Sequence, residues 1–124
     1  MRGSSKDLPV AFDGGEVVIR QADWSDLTVS IENFPRGLET APIFKGLPDD
    51  RCQCPHWGYV VKGRVRILYR DREETLSAGD AYYVPAGHTA VFEEPTQLVE
   101  FSPRGEYTRT MEVAARNVAA MGKD

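Results

Sequence analysis

Two cysteines and two histidines are the soft ligands of this 124-residue chain, and three of the four fall in one short stretch as Cys52, Cys54 and His56. The fourth, His88, follows Pro85-Ala86-Gly87. In an extended strand, residues of equal parity project to one face, which puts Cys52, Cys54 and His56 on a common side. Thiolate and imidazole together suit Zn²⁺, whereas oxygen-activating Fe(II) takes His and carboxylate. The candidate metal ligands are therefore Cys52, Cys54, His56 and His88. Zinc is the favoured divalent ion, with nickel, iron or manganese as alternatives. Imidazole titrates near neutral pH, so His56 and His88 are also candidate catalytic acid–base groups. Free cysteine often just packs as a small hydrophobe, and Pro55 interrupts the run. A metal-free pocket thus stands beside the metal site as a second reading. A Cys52–Cys54 disulfide is disfavoured, because an extended i, i+2 pair lies near or beyond the usual Cα separation of ~4.4–6.8 Å.

Other side chains could join this site. Tyr82 and Tyr83 point to opposite faces of their strand, so one of them can turn its hydroxyl into a pocket; Tyr82 is taken as the third candidate catalytic residue. Trp57, Tyr59 and Val61 lie on the face opposite His56 and are expected in sheet-to-sheet core or at a subunit interface. Phe34, Phe44, Phe92 and Phe101 are expected in the core or wall. Glu100 could be a buried base, but surface exposure is the expectation. Arg64, Arg66 and Arg70 read as solvated sheet surface.

The elements that must position these groups are short. Glycines and prolines punctuate the chain at fairly even intervals, and the runs between them are rich in Val, Ile, Tyr and Phe. That spacing predicts an all-β sandwich or barrel. Strands are expected at 16–20, 27–34, 40–45, 56–62, 64–70, 74–76, 81–84, 88–93 and 97–101. In the second, Leu27, Val29 and Ile31 alternate with Thr28, Ser30 and Glu32. Gly63 supplies the positive φ of a tight hairpin, Gly79 does the same further on, and Pro85 ends a strand because it cannot donate to a ladder. Beyond Pro103 the period changes: Met111, Ala114, Ala115, Val118 and Ala119 predict one amphipathic helix over 107–121, packed outside the sheet or on a partner and without a catalytic role. The expected organisation is an N-terminal arm over 1–15, a barrel over 16–105 and a helix with tail over 106–124.

Two motifs in this order resemble a small single-domain cupin. One is Pro55-His56-Trp57-Gly58-Tyr59-Val60-Val61-Lys62-Gly63-Arg64-Val65; the other is Ala78-Gly79-Asp80 followed by Pro85-Ala86-Gly87-His88. The resemblance spans roughly residues 27–101. It implies a jelly-roll β-barrel, here with a short C-terminal α-helix, a pocket at the barrel mouth and a homodimer. It also implies a metal held by His-x-His, a Glu after three or four residues, and a later His. Counting back from Gly63 places His56 at the family's Glu; with the three-residue spacer, Cys52 and Asp50 stand at its two His, and with four, Arg51 and Asp49. Ala90 stands at the later His, with His88 two residues early. The usual three-His-plus-Glu set is therefore absent.

Composition limits the function classes. Hydrophobic residues are 41% and charged residues 27%, which fits a globular domain rather than a disordered one. A net charge of -4 argues against nucleic acid as a partner. No apolar run has the length of a signal or a membrane span, so a cytoplasmic location without membrane contact is expected. The expected function is redox-neutral lyase, isomerase or cyclase chemistry on a small organic metabolite, assisted by a divalent metal, with dioxygenation disfavoured by the cysteines. The alternative is a non-catalytic module that binds a small molecule without an essential metal. A storage role ranks last, since it belongs to two-barrel chains.

Overall fold

The computed structural model describes residues 1–121, and two antiparallel sheets face each other in it. The strands are β1 (Val10–Asp13), β2 (Val18–Trp24), β3 (Leu27–Phe34), β4 (His56–Lys62), β5 (Arg64–Leu68), β6 (Glu73–Ser77), β7 (Ala81–Val84), β8 (Thr89–Phe92) and β9 (Thr96–Pro103), followed by helix α1 (Arg104–Met121). One sheet has six strands in the order β1-β2-β3-β9-β4-β7, and the other has three in the order β6-β5-β8. This is the expected all-β jelly roll with a C-terminal helix.

Alternation builds the core. Val65 and Ile67 of β5 turn inward while Arg64 and Arg66 face out, as period two requires. They pack with Leu76, Val84, Ala90, Phe92, Val60 and Leu98 between the sheets. The β4–β5 hairpin turns at Gly63, whose φ is +93°, and a Cβ there would strike Pro95 and Thr96; only glycine meets both demands.

Three expectations need correction. Residues 40–45 form no strand: Ala41–Phe44 is a short 3₁₀ turn with Pro42 at its start, and a proline has no N–H for a ladder. Thr40 instead pins this segment to the sheet, its N–H donating to Ala90 O and its Oγ1 accepting from Ala90 N–H. On β3, both of the alternating sets are buried, Thr28, Ser30 and Glu32 as well as Val29 and Ile31. Alternation separates two faces but does not say which one meets water. The arm over 1–15 contains β1, paired to β2, and β2 itself runs on to Trp24. Finally, α1 starts at Arg104 rather than 107 and packs on the 3₁₀ turn, where Asn117 Nδ2 donates to the carbonyls of Ile43 and Lys45, both at 2.8 Å.

Of the two places expected for Trp57, Tyr59 and Val61, the structure removes the sheet-to-sheet core. Trp57, Tyr59 and Val61 do not lie between the sheets; they are 46%, 48% and 44% exposed. Trp57 stacks on Tyr83 at 5.1 Å, and Phe101, expected in the wall, is half-exposed on the same outer surface.

Candidate metal centre and active site

Register decides which side chains meet. On β4, His56, Gly58 and Val60 point into the barrel. Gly58 pairs with Tyr82 on β7 and with Glu100 on β9, so these three stand in one row across three strands. The missing Cβ at Gly58 opens the space through which Tyr82 reaches across β4, and its hydroxyl donates to Glu100 Oε2 at 2.6 Å. A methyl group at Gly58 would meet Val99 O and lie 2.5 Å from the Tyr82 hydroxyl. Gly58→Ala is therefore expected to lower stability by about 1–3 kcal/mol, as overpacking does, and thermal melts will read it. An unchanged melting temperature would show that the row does not pack as described.

The next row up carries His56. Its Nδ1 lies 2.7 Å from Ser102 Oγ and 3.2 Å from Glu100 Oε1. A proton on Nδ1 serves both oxygens and leaves Nε2 with its lone pair, 3.7 Å from Cys52 Sγ. His88 resolves in the same sense. Its Nδ1 lies 2.7 Å from Pro85 O, and a carbonyl only accepts, so Nδ1 bears the proton and Nε2 is the lone-pair nitrogen. The rings of His56 and His88 sit edge to face at 5.1 Å.

Backbone pairing brings Cys52 and His88 together. Cys52 N–H donates to His88 O at 2.8 Å, and Gly87 N–H donates to Cys52 O at 2.7 Å. The turn that delivers His88 needs Gly87, whose φ is +94°. One ligand atom each from Cys52, His56 and His88 lies within 4.8 Å of the others, and all three residues are buried. Cys54 stays outside this cluster. Its thiol lies 3.4 Å from Pro55 O and packs with Phe44, Tyr107 and Ala114. The parity reading misplaced it because β4 starts only at His56. Both cysteines are free thiols.

Burial sets the charge states. It pushes His56 and His88 down to about 4, so both imidazoles are neutral at pH 7. It pushes the Cys52 and Cys54 thiols up to about 12. Glu100 is buried, against the expectation of exposure, and burial raises its carboxyl while the Tyr82 hydrogen bond pulls it down. Glu32 is raised well above the usual carboxylate range by burial and then by the Glu100 charge. Ser30 and not Glu32 pairs with Glu100 across β3 and β9, so the two carboxyls are diagonal neighbours.

The sign of the Glu32 effect is definite. Its folded value lies above the ordinary 4.5, so its contribution to stability is present below that pH and is lost as pH rises towards the folded value. Glu32→Gln carries no such loss. The variant is expected to gain on the parent by up to about 1.4 kcal/mol per pH unit above 4.5 until the folded value is passed. Melts between pH 4 and 9 will read the gap, and a gap that does not widen with pH would refute the buried acid.

His56, His88, Glu32, Glu100 and Tyr82 line a cavity of about 120 Å³ between the two sheets, bounded on one side by α1 through Tyr107 and Met111. The helix thus reaches the site, contrary to expectation. Tyr107 is buried and accepts a hydrogen bond from Gln21 Nε2 at 3.0 Å. The amphipathic period marked an inward face of α1 near Met111, but only the packing shows that this face lies over the barrel mouth.

Residues 52–99 match the family model described as a cupin domain. The fold matches KdgF from Halomonas sp. at 25% identity and a TM-score of 0.59, covering 82% of this chain and 93% of that one. An RmlC-like cupin from Shewanella frigidimarina matches at 21% identity and a TM-score of 0.58, covering 82% and 88%. The polyketide cyclase RemF from Streptomyces resistomycificus matches at 17% identity and a TM-score of 0.62, covering 84% and 79%. No curated protein matches the sequence at a significant level. The fold is that of the cupins, and the family match lies within residues 52–99.

Cupins commonly bind divalent metals, and the donor chemistry here fits one. Two neutral imidazoles present lone-pair Nε2 atoms beside one thiol, which is a three-ligand set with room for water or substrate in a fourth position, as catalytic zinc requires. The hydrogen bonds of His56 Nδ1 with Ser102 and of His88 Nδ1 with Pro85, and the approach of Glu100 to His56 Nδ1, orient the two rings as supporting contacts do around metals.

Proposed function

We propose that this protein is a metal-assisted enzyme catalysing a redox-neutral proton transfer, of isomerase, lyase or cyclase type, on a small organic molecule. The observation that carries the reading is the convergence of Cys52, His56 and His88 within 4.8 Å, with the two imidazoles lining the same cavity as the Tyr82–Glu100 pair. A divalent ion held by these three would supply Lewis acidity towards a carbonyl or enolate oxygen.

The chain's own groups divide the proton work. Glu100 accepts the Tyr82 hydroxyl at Oε2, which favours its anion against the burial that raises its carboxyl, and His56 Nδ1 stands 3.2 Å from Oε1. Glu32 lacks that donor and is raised well above the usual carboxylate range, chiefly by burial. Environments that push two carboxyls apart assign acid and base: Glu100 accepts a proton from the bound molecule, and Glu32 delivers one. Burial also raises the Tyr82 hydroxyl, which keeps its proton as a hydrogen-bond donor. The apolar walls exclude water from whatever lies between them.

The reading is tested on native protein purified without a nickel column. Stoichiometric zinc or another divalent ion is expected, together with a Cys52 thiol that resists alkylation until a chelator is added. Cys54 lies outside the cluster and should show no such dependence. Metal-free protein whose Cys52 labelling ignores the chelator would overturn the metal centre.

A further inference from the structure

On β3 and β9 the usual polarity of a sheet is inverted. Ser30, Glu32, Glu100 and Ser102 are buried on the barrel side, and apolar residues alternate with them on the outside. Register extends that outer face across the sheet in rows. Val29 of β3, Phe101 of β9, Trp57 of β4 and Tyr83 of β7 are successive partners. Their chain neighbours Glu100, His56 and Tyr82 line the cavity, so alternation turns this row away from it. The next row is Ile31, Val99, Tyr59 and Ala81. From β3 to β7 neither row holds a charged side chain. An antiparallel sheet with one face in water carries polar residues on that face, and this one carries apolar residues instead.

Area shows how much remains uncovered. Val29 and Ile31 are already buried, whereas Trp57, Tyr59, Tyr83 and Phe101 are between 36% and 53% exposed. A buried aromatic side chain removes about 150–250 Å² from water, so these four leave roughly 300–450 Å² open. That equals the largest apolar patch of an ordinary monomer, about 300–600 Å². Val61, Leu27 and a rim with Asn33 and Gln97 extend the face towards the ~800 Å² that each partner gives to a standard interface.

The lack of charge selects the occupant. A nucleic acid or a charged peptide finds no counter-charge on these rows. A two-fold axis sets one patch against the same patch of a second copy. Like charges oppose that arrangement, and uncharged rings accept it by offset or edge-on stacking. Trp57 already stacks on Tyr83 at 5.1 Å and 25° from parallel, so two anchors are ordered before contact and lose little freedom on association.

We propose that this face, centred on Trp57, Tyr59, Tyr83 and Phe101, is the two-fold interface of a dimer of this chain, packed face to face rather than through a strand edge. It stands independently of the metal centre, which lies on the other side of the same strands.

The full chain is measured by sedimentation equilibrium over a hundredfold range of concentration. Twice the chain mass of 13.8 kDa is expected. Trp57→Glu and, separately, Tyr83→Glu should each raise the dissociation constant at least a hundredfold, because each buries an unpaired charge. Circular dichroism checks that both variants fold. Val10→Glu, on the exposed strand β1, is the control and should leave the dimer intact. Trp24→Phe leaves Trp57 as the sole tryptophan. Its emission should then move to the blue and resist iodide quenching as the dimer forms, a readout that needs no disruptive variant. A monomer mass at every concentration overturns the inference. So does a dimer that survives both glutamate variants, or one that Val10→Glu alone dissociates. Dimerisation that leaves Trp57 emission and quenching unchanged puts the contact elsewhere and overturns it too. Monomers that sediment with phosphatidylcholine vesicles, and no longer do so as Trp57→Glu, give the face to a lipid surface and overturn the second copy.

Discussion

His56→Ala is expected to lose bound metal and, with it, turnover. The imidazole is the hub of the site. Its Nε2 stands 3.7 Å from Cys52 Sγ, and its Nδ1 meets Ser102 and Glu100. Changing a residue that merely supports a ligand costs roughly 10–100-fold in metal affinity or activity, so removing a ligand should cost more. The expected pH dependence is equally specific. His56 and His88 sit near 4 in the metal-free protein, so protons do not compete for them at neutral pH. Cys52 sits at about 12 and must release its proton when it ligates. Zinc affinity should therefore rise about tenfold per pH unit between pH 5 and 8, one proton leaving per ion bound. Competition with a chromogenic chelator measures both quantities. Parental zinc content in His56→Ala would remove the imidazole from the site, and a flat pH profile would remove the thiol.

Glu100→Gln is expected to reduce turnover by about 10²–10⁴-fold, the range supplied by a positioned acid or base. The amide keeps the size of the side chain and can still accept from Tyr82 through its oxygen, but it cannot take a proton. Tyr82→Phe is the informative companion. It removes the 2.6 Å hydrogen bond that favours the Glu100 anion, so the apparent pKa of the base should move upward and the acidic limb of the pH–rate profile should shift with it. The order of the two losses discriminates the roles. If Tyr82→Phe costs as much as Glu100→Gln and leaves the acidic limb in place, Tyr82 acts on substrate directly and Glu100 only positions it.

Much of the fold was legible in the chain. The hairpin at Gly63, the Arg64–Leu68 alternation and the stop at Pro85 each encode a local constraint that no tertiary context revises. The change of period after Pro103 announced the helix to within a few residues. The 3₁₀ turn at Ala41–Phe44 was missed because its residues suit a strand and only the missing N–H of Pro42 argues otherwise. The long β3 was recognised with its two alternating sets, but alternation alone does not tell that Thr28, Ser30 and Glu32 are buried along with Val29 and Ile31.

The site divides in the same way. Cys52, His56 and His88 were chosen on residue type and motif position, and these are properties of the chain itself. Cys54 had the same type and parity, and it faces α1 instead, because the extended strand begins only at His56. Glu32, Glu100 and Tyr107 were invisible as partners of that cluster. They come from β3, β9 and α1, and their meeting depends on antiparallel register and on where the helix docks.

The sequence by itself determined the strand punctuation, the jelly-roll class and the four candidate soft ligands, since glycine, proline, cysteine and histidine act through their own covalent chemistry. The tertiary structure decided which carboxyls are buried, which tyrosine reaches Glu100 and which cysteine faces the imidazoles. Those are relations between residues distant along the chain, and burial and pairing exist only once the sheets have closed on each other.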